Sequence, residues 1–247
     1  MITSSAAYLF VHIEDPARVA SSVEDWARAN DLRGSVLVAA EGINLFLAGS
    51  EAGVDTFFER LRQDRRFAAI RVKLSASRAQ PFKRLKVKVK PEIISFRREG
   101  ACPLQGRAPA VAPATLARWI DQGADDTGRR LVLLDTRNLE EVGHGTFANA
   151  LTLPIDNFTD LPEALAPHRE AIADATVVSF CTGGIRCEKA ALWMRESGMD
   201  NVLQLEGGIL GYFEEVGGKG FEGRCFVFDE RVALDPGLAP LVDGASD

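Results

Sequence analysis

The sequence predicts two α/β domains in tandem, an N-terminal ferredoxin-like α+β module followed by a parallel α/β domain. Three observations carry this. From Ala6 to Leu74 the chain reads β-α-β-β-α-β, the order of an antiparallel sheet with two helices on one face. Residues 99–112 then hold Gly100, Pro103, Gly106 and Pro109 with little apolar periodicity, which marks a boundary. Beyond it, short apolar strands alternate with helical stretches, the pattern of a parallel sheet flanked by helices. With 247 residues, 46% of them hydrophobic, the chain is long enough for two cores. The expected bounds are 1–99 for the first domain, 100–112 for the linker, 113–222 for the second domain and 223–247 for a C-terminal tail.

Each element has its own signal. Ala6–His12 is a buried strand centred on Tyr8-Leu9-Phe10-Val11. Asp15 is placed to cap a helix with Pro16 at its first position, and Val19, Val23 and Trp26 recur at helical spacing. Gly34–Ala39 and Ile43–Ala48 are strands joined by the turn residues Glu41-Gly42. Ser50 caps a helix carrying Val54, Phe57, Phe58 and Leu61, and Ile70–Leu74 is the fourth strand. In the second domain, 113–121 is a short helix with Leu116, Trp119 and Ile120 inward. Leu131–Leu134, Thr176–Phe180 and Asn201–Leu205 are its strands.

Composition narrows the function classes. No apolar run approaches the roughly 20 residues of a membrane span, and no secretory signal pattern opens the chain. Four cysteines without a CxxC pair, and three scattered histidines, predict neither a disulfide scaffold nor a zinc site, and no metal is expected. A reducing, cytoplasmic compartment fits these cysteines. The net charge of -6 argues against wholesale coating of nucleic acid.

One stretch runs against that balance. Residues 83–98 carry Lys83, Arg84, Lys86, Lys88, Lys90, Arg97 and Arg98 against Glu92 alone. Lys86, Lys88 and Lys90 alternate with Leu85, Val87 and Val89, so a strand here puts lysines on one face. Such a stripe is a candidate contact for an RNA backbone, with Lys83 and Arg84 beside it. The alternative is an edge strand guarded by lysines against aggregation.

The chemistry concentrates around Cys181. The apolar run Val177–Phe180 ends at this cysteine, Thr182-Gly183-Gly184 follow, and a helix begins near Ile185. Strand, cysteine, glycine loop and helix start together describe a thiolate in a cup of backbone N–H groups from Thr182 to Arg186. Arg186 adds positive charge. In open parallel sheets the chemistry lies at the carboxyl ends of strands, where Asp135 also falls. Cysteine-dependent phosphatases place an arginine six residues after the cysteine to hold phosphate; here that position is Cys187, so phosphatase chemistry is disfavoured. Cys187 either resolves an oxidised Cys181 as a transient disulfide or packs into the helix base. Asp135 and Arg137 shape the cup or bind substrate, or form an ion pair that only fixes the loops. His144 reads as a structural hydrogen-bonder, Cys102 and Cys225 as structural cysteines.

Ordered motifs add a resemblance. Asp135-Thr136-Arg137-Asn138 with Glu141–Phe147, the loop Cys181–Lys189, and Leu205-Glu206-Gly207-Gly208-Ile209 together resemble rhodanese domains over about residues 110–220, making the second domain rhodanese-like. The loop CTGGIRCEK, Ala40–Asn44 and Gly223–Arg231 resemble the bacterial tRNA uridine(34) hydroxylase family along nearly the whole chain. That resemblance implies oxygen-dependent hydroxylation of the wobble uridine at C5, with molecular oxygen as co-substrate and the anticodon region of tRNA as partner. No further cofactor is evident. Longer members carry another cysteine pair in a C-terminal extension, which residues 232–247 do not show. The wobble base is expected to flip out of its stack to reach a concave loop. The loop alone serves a sulfurtransferase carrying a Cys181 persulfide equally well. A non-catalytic tRNA-binding or sulfur-sensing module is the third reading.

Overall fold

The structure, a computed structural model, describes residues 1–243. The chain divides into two compact units. The first comprises Met1–Ser95 with residues 228–232 and 239–243; the second comprises Phe96–Val227 with Ala233–Leu238.

The first unit is built from β1 (Ile2–Phe10), α1 (Pro16–Ala29), β2 (Arg33–Ala39), β3 (Gly42–Gly49), α2 (Glu51–Arg62), β4 (Arg71–Ser77) and β5 (Leu85–Val89). Its sheet order is β4-β1-β3-β2-β5, antiparallel except for the β2–β5 pair. The helices cover one face because their apolar residues recur every three to four positions: Val19, Val23 and Ala27 on α1, and Val54, Phe57, Phe58 and Leu61 on α2. These meet the inward rows of the sheet, among them Val36, Leu45 and Leu47.

Three expectations are corrected here. β1 begins at Ile2 rather than Ala6, because Ser4 and Ser5 are buried strand residues and the Ser5 hydroxyl donates to the Leu47 carbonyl. Asp15 precedes α1 but its side chain makes no capping bond; its carboxylate accepts from Arg66 at 3.1 Å instead, since an ion pair outcompetes a cap. The lysine-bearing strand ends at Val89, so Lys90, expected on its lysine face, lies just beyond it. Ser50, by contrast, does cap α2, accepting from the Gly53 N–H at 3.1 Å.

The second unit contains β6 (Ala110–Val111), α3 (Pro113–Gln122), β7 (Leu131–Asp135), α4 (Leu139–His144), β8 (Gly145–Phe147), α5 (Leu161–Leu165), β9 (Thr176–Phe180), α6 (Ile185–Glu196), β10 (Val202–Leu205), α7 (Gly208–Val216), β11 (Phe221–Gly223), β12 (Cys225–Phe226) and β13 (Ala233–Leu234). The parallel sheet runs β6-β10-β9-β7. β6 lies inside the stretch expected as linker, where a two-residue strand offers no periodicity to read. All five residues of β9 are buried, so both faces of the sheet are covered. Val178 and Phe180 enter a core with Leu116, Ile209 and Tyr212, and alternation turns Val177 and Ser179 to the other face, where α6 packs. Phe147 anchors this core with edge-to-face contacts to Phe180, Tyr212 and Phe221 at 5.0, 4.9 and 5.2 Å.

Candidate active site

Cys181 follows the last residue of β9 and is fully buried. Its sulfur accepts the Gly184 N–H at 3.2 Å. Gly184 has φ 101°, a left-handed conformation that a side chain resists, and it turns the chain into α6. The loop carbonyls face the other way: those of Cys181 and Thr182 accept the N–H groups of Ile209 and Leu210 at 2.9 and 3.0 Å. The start of α7 therefore fastens the outside of the loop while the inside is left to the sulfur. Gly208 makes this approach possible. A Cβ there would stand 2.5 Å from the Cys181 carbonyl oxygen and 2.6 Å from the Gly184 nitrogen. Gly183, in the glycine loop itself, has open space where a Cβ would stand.

Electrostatics favour an anion at Cys181. Burial pushes its thiol up, but a hydrogen bond from the Cys187 side chain, the Arg186 charge and the N–H groups of Cys187 and Gly184 outweigh it and bring the thiol below its ordinary range. Cys187 moves oppositely, raised by burial and by the neighbouring Cys181. The pair thus holds one thiolate and one thiol, with the Thr136 hydroxyl 3.7 Å from the Cys187 sulfur. Cys187 is fully buried in the first turn of α6.

Arg186 is nearly buried and gives both terminal nitrogens to Glu141, at 2.5 and 2.6 Å. Glu141 also accepts from the Thr182 hydroxyl at 3.2 Å, and Arg186 holds it ionised against the cost of burial. Because this guanidinium is committed to a carboxylate, it does not offer the free fork that phosphate binding requires. Glu141 was missed in the sequence. Its signal is the capping box with Asn138, whose side chain accepts the Glu141 N–H at 2.9 Å and whose own N–H reaches the carboxylate at 3.3 Å.

Asp135 and Arg137 form the second buried pair. Arg137 donates from Nε and Nη2 to Asp135 at 2.9 and 2.7 Å and from Nη2 to the Gly145 carbonyl at 2.7 Å. The Thr146 hydroxyl donates to the same carboxylate at 2.7 Å. Both side chains are fully buried, and the pair ties the end of β7 to β8. Among the described residues, Arg137 Nη1 has no hydrogen-bond partner. Cys225 lies in this neighbourhood: burial pushes its thiol up to about 12, against the pull of Arg137 and of the Thr182 hydroxyl. No sequence signal ties Cys225 to the loop. Cys102 is exposed, the His144 ring lies tilted against Phe226 with centroids 5.2 Å apart, and Ile185 packs as the first residue of α6.

In the first unit, Lys86 and Lys88 are exposed on the edge strand β5, and Lys90 follows it. Lys83 pairs with Glu230 at 3.5 Å, and Arg84 precedes the strand. Arg98 belongs to the second unit, paired with Glu163 at 2.6 Å. Among the described residues, no group of three or more His, Cys, Asp or Glu is placed to hold a metal, and no helix is long and apolar enough to cross a membrane.

A cysteine at the carboxyl end of a central parallel strand, an anion-favouring loop and a helix start define a rhodanese-type domain. The family model of the rhodanese-like domain matches residues 112–215, and that of the UPF0176 acylphosphatase-like domain matches residues 2–93. The chain is 70% identical over 246 residues to the tRNA uridine(34) hydroxylase of Xanthomonas campestris pv. campestris, covering 100% of this chain and 97% of that protein. The protein of that name from Xanthomonas euvesicatoria pv. vesicatoria is 70% identical, with 98% of each chain covered. The one from Xylella fastidiosa is 60% identical, covering 98% of this chain and 95% of its own. The chain belongs to the tRNA uridine(34) hydroxylase family.

Proposed function

We propose that this protein hydroxylates the wobble uridine of tRNA at C5, with molecular oxygen as co-substrate and Cys181 as the reactive group. The observation that carries this reading is the Cys181 sulfur, held as an anion by the Gly184 N–H and the Cys187 thiol, in a chain matched end to end by proteins named for this reaction. The carbonyl–α7 bonds and the Glu141–Arg186 pair keep the loop in shape, so the reactive group is preorganised. Lys86, Lys88 and Lys90 suit the RNA backbone. A tRNA substrate and oxygen both belong to a compartment where these thiols stay reduced, which supports a cytoplasmic location.

The test is the nucleoside content of tRNA from a strain lacking the gene, complemented with the wild type or with Cys181→Ser. 5-Hydroxyuridine and its derivatives should return with the wild type only; their return with Cys181→Ser would overturn the role of this cysteine. The rhodanese loop also favours a second reading, sulfur transfer through a Cys181 persulfide. Strong thiosulfate-to-cyanide transfer that Cys181→Ser abolishes, with 5-hydroxyuridine unchanged in the deletion strain, would decide for it.

A further inference from the structure

The register of the first unit's sheet assembles something that no stretch of sequence displays. Take the row through Ala7. It pairs with Val72 on one side and Leu45 on the other, Leu45 with Val36, and Val36 with Val87. Every member packs into or against the helix-covered core. The rows on either side therefore point to the opposite face. One reads Arg71, Tyr8, Asn44, Leu37, Lys88 across the five strands; the other reads Lys73, Ala6, Phe46, Ser35, Lys86.

Both rows have the same plan. A cation stands at each end, on the edge strands β4 and β5, an aromatic ring stands on a central strand, and no acid lies between. Four strand spacings put the two cationic edges about 19 Å apart. Tyr8 lies edge-on to Phe10 at 6.0 Å, and Lys73 Nζ sits 5.9 Å from the Tyr8 ring centre. Tyr8, Phe10 and Phe46 are each half-buried, while Arg71, Lys86 and Lys88 are exposed. At one end of the face the chain beyond β5 is pinned, with the Ile93 N–H donating to Glu41 at 2.8 Å and Asn44 donating to the Ile93 carbonyl at 3.3 Å.

We infer that this face is a platform for unpaired RNA, in which Tyr8 and Phe46 stack on bases while Arg71 and Lys73 on one edge, and Lys86 and Lys88 on the other, hold phosphates. The charge plan selects the occupant. In a chain of net charge -6, cations concentrate on both margins of one face, which suits a polyanion crossing the sheet. Central aromatic rings distinguish unpaired from paired RNA, because bases inside a duplex have no free π-face to offer. The lysine stripe is thus one margin of a two-sided frame. The inference rests on the reading that RNA is the substrate, and it assigns the part of that RNA which this unit holds.

Fluorescence anisotropy with the full-length protein tests it, using a labelled anticodon stem-loop and a fully paired hairpin with the same number of phosphates. Tyr8→Leu/Phe46→Leu should weaken stem-loop binding about tenfold or more, with the salt slope unchanged and hairpin binding unaffected. Arg71→Gln/Lys73→Gln should reduce the slope of log affinity against log salt by about 1.4. Unchanged stem-loop affinity in the aromatic variant overturns the platform, as does an equal loss on the hairpin. If the aromatic variant does not fold by circular dichroism, the Arg71→Gln/Lys73→Gln salt slope decides, and an unchanged slope overturns the proposal. A wild-type dimer that Tyr8→Leu/Phe46→Leu turns into a monomer would give the face to a second copy of this chain and overturn it as well. The two readings fail separately. Aromatic-dependent RNA binding with 5-hydroxyuridine normal in the deletion strain sinks the hydroxylase and keeps the platform. Cys181-dependent 5-hydroxyuridine with an aromatic variant that binds like wild type does the reverse.

Discussion

The two sheets handle charge in opposite ways. In the second unit both faces of the sheet are covered, and the charged groups beside Cys181 are buried and paired: Arg186 with Glu141, Arg137 with Asp135. In the first unit one face is covered by helices, and Arg71, Lys86 and Lys88 stand exposed along the margins of the other. The difference separates two tasks. A buried ion pair loses little by screening but is costly to break, so it holds a geometry. An exposed cation adds little to stability, and its field reaches into solvent, so it attracts. The sulfur we propose as reactive sits among the first kind, and the candidate RNA contacts are the second.

Breaking one partner in each region should expose this contrast. Glu141→Ala strands the Arg186 guanidinium in the interior and should cost about 3–5 kcal/mol in denaturant unfolding, whereas Lys88→Ala should stay within about 0.5 kcal/mol. Equal effects at the two sites would remove the distinction. Next in size is the loop itself. Gly208→Ala meets the Cys181 carbonyl oxygen at φ 63° and should lose about 1–3 kcal/mol together with activity, while Gly183→Ala, in open space, should fold as well as the wild type. Tolerance of alanine at Gly208 would show that α7 does not need to lie this close.

A smaller effect concerns the thiolate. Absorbance at 240 nm, as the difference between wild type and Cys181→Ser, should titrate at a pH below the roughly 8.5 of a free cysteine. Since the Cys187 side chain is the largest influence lowering Cys181, Cys187→Ala should move that midpoint upward. A midpoint at or above 8.5 in the wild type would contradict the anion cup. Smallest in stability, though visible in binding, is Lys86→Gln/Lys88→Gln/Lys90→Gln. It should leave the unfolding curve in place and lower the salt slope of tRNA binding by about 2. An unchanged slope would return these lysines to guarding an edge.

Much of this was legible in the chain because the signals are local. Phe57, Phe58 and Leu61 announce a helix face by spacing alone, and Ser50 announces its cap. Cys181 at the end of an apolar strand, with glycines behind it, announces a reactive sulfur. What stayed hidden depends on partners distant in sequence. Asp15 has the right type and position for a cap, and only Arg66, 51 positions on, explains why it does not act as one. Glu141 carries a capping box, but that it neutralises Arg186 is a fact of packing, as is the nearness of Cys225 to Arg137.

By itself the sequence determined the two α/β domains, the cysteine at the head of the glycine loop and the excess of positive charge after the fourth strand, because periodicity, composition and loop residues act over a few positions. The tertiary structure decided which charges are buried and which are exposed, why Gly208 must lack a side chain, and which residues share a row across five strands. Those outcomes depend on register and on packing between segments far apart in the chain, and neither is written in any single stretch of it.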